Sequence, residues 1–162
     1  MDLKKLFRGD HPFISEPAVW IVAGHGLSGE PLTRAPVHGR FQIFHREGKV
    51  VIHGEMAMIS RASGSVSFPA IYEMTPTEDD LMLAFFQPNE AVGHLSGKVI
   101  AFDDRLISSY TSGDGTLTGV EVFLKMGENR YAVTGSLLSA GKVLNLWKLD
   151  LVRPSSDASV SE

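Results

Sequence analysis

Apolar and polar residues alternate with a period of two along most of the chain after Val37. Successive side chains of an extended strand point to opposite faces, so this period indicates strands that are buried on one side only. Turn-forming residues recur roughly every 8–12 residues, a spacing typical of an antiparallel sandwich or barrel. The clearest turns are 46–49 and 113–115, where glycine supplies the left-handed conformation that a tight hairpin needs.

The pattern predicts about ten strands and hardly any helix. The strands cover residues 18–23, 41–44, 49–59, 65–74, 81–86, 92–102, 105–112, 117–126, 130–138 and 143–152. A short N-terminal helix is predicted over residues 2–7, where Leu3, Leu6 and Phe7 share a face. The fold class is therefore all-β: a single up-and-down antiparallel β-barrel of about 8–10 strands. Residues 1–153 form one domain, and the small polar residues of 154–162 are expected to be disordered.

Three glycines after the first predicted strand spell the letters of a dinucleotide-binding loop, G-x-G-x-x-G, at Gly24, Gly26 and Gly29. Such a loop needs a helix to begin inside the glycines, because the pyrophosphate lies on the free N–H groups of that helix. Pro31 and Pro36 leave no room for a helix of about 10–12 residues. We therefore reject a nucleotide cofactor and interpret the glycines as a flexible loop that leaves the first strand.

In a barrel, the more apolar of the two faces of each strand marks the interior. This rule places all three tyrosines and Trp147 inside, and a tyrosine offers both an apolar ring and a hydroxyl that needs a partner when buried. The predicted ligand-binding residues are Phe41, Met56, Phe68, Tyr72, Phe85, Tyr110, Tyr131 and Trp147. A filled core, with the tyrosine hydroxyls bonded to backbone, is the alternative.

Two strands are less regular. For residues 117–126 the rule places Val120, Val122 and Leu124 inside, and it turns Glu121 and Lys125 outward. Residues 92–102 carry apolar side chains in both phases, which a β-bulge would reconcile, and His94 is then a candidate for the interior.

Ten short strands in up-and-down order, an early Trp20 and a last strand ending at Arg153 resemble the calycin superfamily, which includes lipocalins and fatty-acid-binding-like barrels. Lipocalins typically carry Gly-x-Trp on the first strand, where this chain has Ala18-Val19-Trp20. Haem-binding barrels of the superfamily use a histidine near the C-terminal strands, and this sequence has none after His94. The resemblance implies a barrel that encloses a small hydrophobic molecule, without haem, and has residues 24–36 near one mouth.

Composition narrows the range of partners. The formal net charge is −4, so no overall positive field attracts nucleic acid. No stretch approaches the roughly 18 apolar residues of a transmembrane segment, and the N-terminus lacks a secretory apolar core. The chain has no cysteine, which excludes disulfides and thiolate metal ligands. We expect a soluble, cytoplasmic protein, with homodimerisation left open.

The usual catalytic and metal-binding motifs are missing. The six histidines are scattered, and His38, Arg40, His53 and Glu55 are expected on the outer face of the barrel. The sequence therefore predicts no metal and no resident cofactor, and binding of a small hydrophobic, lipid-like or aromatic ligand. One alternative is a cofactor-free enzyme, an isomerase, lyase or decarboxylase acting on a hydrophobic acid, in which Tyr72, Tyr110 or His94 transfers a proton. Another is a β-domain that acts through its surface.

Overall fold

The structure is a computed structural model that describes residues 10–60, 64–77, 81–86 and 94–155. Within these ranges one short helix, α1 (Pro12–Ser15), precedes ten strands. The strands are β1 (Ala18–Ser28), β2 (Thr33–Arg46), β3 (Lys49–Ser60), β4 (Gly64–Pro76), β5 (Leu81–Phe86), β6 (His94–Phe102), β7 (Arg105–Ser112), β8 (Leu117–Gly127), β9 (Arg130–Ser139) and β10 (Lys142–Val152). The helix predicted over 2–7 and most of the predicted tail, 156–162, lie outside the described residues.

The strands form a closed ring. Each strand pairs antiparallel with its neighbours in sequence, and β1 also pairs with β10, so that Ile21 lies opposite Val152. Closure gives every strand a paired neighbour on both sides over at least part of its length. The prediction of an all-β, up-and-down antiparallel barrel is therefore confirmed.

Tight turns set the register of several hairpins. Arg46 pairs directly with Lys49, and the two residues between them, Glu47 and Gly48, have φ angles of 52° and 77°. Positive φ at both central residues is the geometry that matches the right-handed twist of the flanking strands. The 46–49 turn read from the sequence is thus a two-residue hairpin.

Helix α1 closes one end of the barrel with Phe13, whose side chain is 2% exposed. The Phe13 ring stacks on Phe123 at 5.2 Å between centroids and meets the edge of Trp20 at 5.5 Å. It also lies 5.7 Å from the ring of Tyr131. Aromatic pairs at these separations add to the free energy of burial, so Phe13 acts as an apolar plug.

Polar contacts hold the chain around α1 in place. The His45 imidazole contacts the carbonyl of Ile14 through Nε2 at 2.9 Å, and the Lys125 ammonium donates to the carbonyl of Asp10 at 2.8 Å. Arg153 pairs with Glu16, and its guanidinium lies 5.4 Å from the centre of the Trp20 ring. Trp20 and Arg153, which carried the calycin resemblance, therefore contact each other across the closed end.

The glycine motif is part of a strand. β1 continues through Gly24 and Gly26 to Ser28, so the predicted flexible loop over residues 24–36 is wrong, and only the segment between Ser28 and Thr33 forms the connection. A Cβ atom at Gly24 would lie 2.2 Å from the carbonyl oxygen of Lys148, so close approach of β10 requires glycine there. The residues that follow the glycines, 30–46, form the connection and β2 rather than a helix.

The predicted inner face of β8 is wrong. Glu121 and Phe123 face the interior, whereas Val120 is 45% exposed on the outside. The directly paired residues on β7 are Ser108 opposite Glu121 and Tyr110 opposite Gly119.

Val143, which was also assigned to the interior, is 42% exposed because a register shift between Val143 and Asn145 changes the phase of β10. On β6 the interior side chains are Leu95 and Val99, and His94 is exposed.

The described residues include no helix whose length and apolar character would let it cross a membrane.

Candidate ligand-binding cavity

The barrel contains a cavity of about 1300 Å³. Phe13 and Ile14 of α1 line it at one end, and the connection between β1 and β2, including Gly29 and Pro31, lines it at the other. Most of the described side chains that line the wall between these ends are apolar: Phe41, Ile52, Met56, Met58, Met74, Leu95, Val99, Leu106, Phe123, Val133, Leu137, Leu149 and Leu151. Ligand pockets usually have volumes of roughly 300–1000 Å³, so this cavity is large enough for a lipid-sized molecule.

Five of the eight predicted ligand-binding residues line this cavity: Phe41, Met56, Tyr72, Tyr110 and Trp147. Phe68 and Phe85 lie on β4 and β5, but their side chains are outside what the structure describes. Tyr131 does not line the cavity. It is fully buried beside Phe13 at the closed end, where its hydroxyl lies 3.3 Å from Nδ1 of His11.

Glu121 is the charged side chain that sequence analysis missed. Ser108, Glu121, Gly135 and Trp147 are consecutive register partners across β7, β8, β9 and β10, and we call these four residues the Glu121 row. The indole of Trp147 lies flat over Gly135, because a Cβ atom there would come within 2.3 Å of its Cε2 and 2.5 Å of its Nε1. The missing side chain at Gly135 thus lets Trp147 reach across β9, and its N–H donates a hydrogen bond to Glu121.

Burial changes the ionisation of Glu121. Loss of hydration in the barrel wall disfavours the carboxylate and raises its pKa from 4.5 to about 7, although the hydrogen bond from Trp147 lowers it in part. Near neutral pH, both protonation states are therefore populated. A carboxyl group of this kind can accept a proton from a bound molecule, or donate one to it.

Two tyrosines lie within electrostatic range of Glu121. Burial first, and then the charge of Glu121, raise the pKa of Tyr72 on β4 and of Tyr110 on β7 above 10.0. The Tyr110 ring lies over Gly119, since a Cβ atom at that glycine would come within 2.1 Å of Cε2. Both phenols consequently remain protonated and can donate a hydrogen bond in the cavity.

Ser108 provides an unsatisfied hydroxyl in the same wall. Its side chain lines the cavity and is 2% exposed, and among the described residues its Oγ atom has no hydrogen-bond partner. Leaving a buried hydroxyl unpaired costs about 1–3 kcal/mol, so a partner supplied by an occupant would be favourable. The remaining polar lining is near the β1–β2 end and includes His25, Glu30 and Arg34.

The register of the β7–β8 hairpin places Glu121 inside, although the count of apolar residues on β8 had assigned it to the outside. A hairpin loop of three residues, 113–115, would pair Ser108 with Val120 and turn Val120 inward. In the structure Thr111 and Thr118 form the last pair, and Ser112 Oγ accepts a hydrogen bond from the Leu117 amide at 2.9 Å. A shift of one residue reverses every side chain of a strand. The serine, aspartate and threonine around Asp114, which bond to one another, were the available signal for the longer loop.

Gly135→Ala tests the arrangement of the Glu121 row. The added methyl group overlaps the Trp147 indole, so we expect the ring to leave Glu121, with a loss of about 1–3 kcal/mol in the free energy of unfolding. In two-dimensional NMR, the Trp147 indole N–H signal of the native protein should titrate near pH 7 and should stop titrating in the variant. Trp20 is the internal reference, and Gly113→Ala, which places a methyl group in open space, is the matched control. An unchanged Trp147 titration in Gly135→Ala would contradict the contact.

Other candidate chemistry lies away from the cavity. Arg40 and Glu55 form an exposed ion pair with 3.2 Å between Nε and Oε2, as expected for the outer face. In the described ranges no three histidine, aspartate or glutamate side chains are grouped so that they could hold a metal ion. His94 is exposed on β6, so the structure does not bring it to Tyr72 or Tyr110 as a proton-transfer partner within the cavity.

No protein-family model and no curated protein matches this chain. Among solved structures it is similar to the S-type phycobiliprotein lyase CPES from Guillardia theta, with a TM-score of 0.67 and 10% identity, over 97% of this chain and 95% of the lyase. A protein assigned as AttH from Nitrosomonas europaea aligns with a TM-score of 0.31 and 12% identity, over 93% of this chain and 55% of that protein. The chain therefore shares its barrel fold, along nearly its whole length, with the phycobiliprotein lyase.

Proposed function

We propose that this protein binds a small, mainly hydrophobic molecule inside its barrel, and that the barrel is calycin-like. The cavity of about 1300 Å³ is the observation that carries the proposal. A wall of aliphatic, methionine and aromatic side chains with a few polar groups is typical of ligand sites. The fold shared with a phycobiliprotein lyase is consistent with a small-molecule ligand.

Three methionines support an adaptable ligand site. Met56, Met58 and Met74 all line the cavity, and the flexible, polarisable thioether side chain adjusts to ligands of irregular shape. Glycine at the inward positions 24 and 26 of β1 leaves that part of the wall without side chains, which enlarges the interior. The space next to β1 is therefore a suitable place for an apolar tail.

The experiment is a calorimetric titration with decanol, a neutral molecule with one apolar chain. The native protein should bind it, and Gly26→Leu should weaken binding at least about tenfold, because the new side chain occupies the cavity next to Val37 and Met58. Gly113→Leu, which adds the same side chain in open space at the β7–β8 turn, should bind as the native protein does. Native mass spectrometry of the purified protein should also reveal a retained hydrophobic molecule. Absence of decanol binding by the native protein would contradict the proposal.

A further inference from the structure

The Glu121 row leaves hydrogen-bonding capacity unused. An ionised carboxylate has about four lone-pair positions, and the Trp147 N–H occupies one of them. Ser108 lies directly opposite Glu121 on β7, at a separation of about 5 Å between Cβ atoms for such a pair. Ser108 is 2% exposed, and its buried hydroxyl has no partner in the described part of the chain. A donor on an occupant of the cavity would satisfy both groups.

The electrostatic surroundings of Glu121 favour a positively charged donor. The titratable groups that face it are the neutral phenols of Tyr72 and Tyr110, while β9 and β10 contribute Gly135 and Trp147. Lys125, on the same strand, is held by the Asp10 carbonyl and by the Glu128 carboxylate, 2.8 Å away in each case. Arg34 is exposed near the β1–β2 end of the cavity, and it is not among the groups that shift the pKa of Glu121. In the described part of the chain, Glu121 thus has a hydrogen-bond donor in Trp147 but no adjacent positive charge.

We infer that the cavity takes a hydrophobic molecule with one protonated nitrogen, which lies between the Glu121 carboxylate and the Ser108 hydroxyl while the apolar part lies along the methionine-lined wall. The inference rests on the proposed function and specifies its ligand class. A protonated amine gives Glu121 a short, charge-assisted hydrogen bond. Its remaining N–H groups reach the Ser108 oxygen, and the apolar chain needs no other polar contact.

The inference includes a dependence on pH. Because burial holds the pKa of Glu121 near 7, the carboxyl is largely neutral at pH 6 and largely ionised at pH 8. An alkylamine keeps its charge over this range. Its affinity should therefore increase severalfold from pH 6 to pH 8, whereas the affinity for an alcohol of the same chain length should stay constant.

Three probes with the same apolar chain separate charge from hydrophobicity: decylamine, decanol and decanoate. In calorimetric titrations of the native protein at pH 8, we expect decylamine to bind about tenfold more tightly than decanol, and decanoate more weakly than either. Glu121→Gln should bring decylamine to within about twofold of decanol. Ser108→Ala should weaken decylamine severalfold and leave decanol unchanged. Glu55→Gln removes a carboxylate from the outer face and should preserve the preference for the amine.

The outcomes distinguish the inference from the proposed function. If decanol binds but decylamine binds no more tightly, or if the preference survives in Glu121→Gln, the inference is wrong and the hydrophobic site stands. If none of the three probes binds to the native protein, both are wrong. Should Glu121→Gln fail to fold, the ratio of decylamine to decanol affinity in the native protein decides. A ratio that rises from pH 6 to pH 8 supports the inference, and a constant ratio overturns it.

Discussion

Replacing Glu121 by glutamine is expected to raise the free energy of unfolding by about 2–3 kcal/mol at pH 8 and by less than about 1 kcal/mol at pH 5. The reason is the raised pKa of Glu121, which is about 7 in the folded barrel and 4.5 in the unfolded chain. Glutamine has nearly the same shape, carries no charge and can still accept the Trp147 hydrogen bond.

The direction follows from proton binding. Below about pH 4.5 the carboxyl is protonated in both states, so it contributes no pH dependence. Between 4.5 and about 7 the folded protein retains a proton that the unfolded chain releases, and the stability of the native protein falls as pH rises. Above about 7 the full cost of a charged, buried carboxylate is present.

Urea unfolding at a series of pH values measures this difference. Glu55→Gln is the control, because Glu55 pairs with Arg40 on the exposed outer face and its loss should change stability by no more than about 0.5 kcal/mol at any of these pH values. Parallel pH profiles for the native protein and Glu121→Gln would contradict a buried, ionisable Glu121.

Replacing Phe13 by alanine is expected to lower the free energy of unfolding by about 3–5 kcal/mol. The side chain is 2% exposed and contacts the rings of Trp20, Phe123 and Tyr131 at the closed end. Truncation removes these contacts, and the surrounding barrel strands cannot collapse into the space that is left.

Phe102→Ala is the matched control for Phe13. Phe102 is 60% exposed on β6, so its truncation should change stability by about 0.5 kcal/mol or less. The measurement is the denaturant midpoint with an unchanged slope, which shows that the folded state is still compact. Equal effects of the two substitutions would contradict the assignment of Phe13 as the plug.

The barrel could be predicted from the sequence because the alternation of apolar and polar residues and the turn-forming residues are local features of the chain. The turn at 46–49 specifies a two-residue hairpin. Strands such as β9 carry apolar side chains at odd-numbered positions that share one face, including Tyr131, Val133 and Leu137. Each of these features depends on neighbouring residues in the chain. The order of strands in an up-and-down sheet then follows from the order of the hairpins.

The polar part of the cavity could not be predicted in the same way. On β8 the interior positions hold Gly119 and Glu121, so counting apolar residues favoured the opposite face. Their role depends on rings from other strands: Tyr110 lies over Gly119, and Trp147 lies over Gly135 to reach Glu121. Such contacts follow from register across three or four strands, which no local pattern contains.

Methyl NMR of the methionines in the presence of decanol tests most directly whether the barrel interior is a ligand site. Met56, Met58 and Met74 line the cavity, while Met126 is 56% exposed on the outside. We expect the three interior methyl signals to shift on addition of decanol and to show contacts with its chain, with the Met126 signal unchanged. A shift confined to Met126, or no shift at any of the four methionines, would contradict a ligand-binding interior.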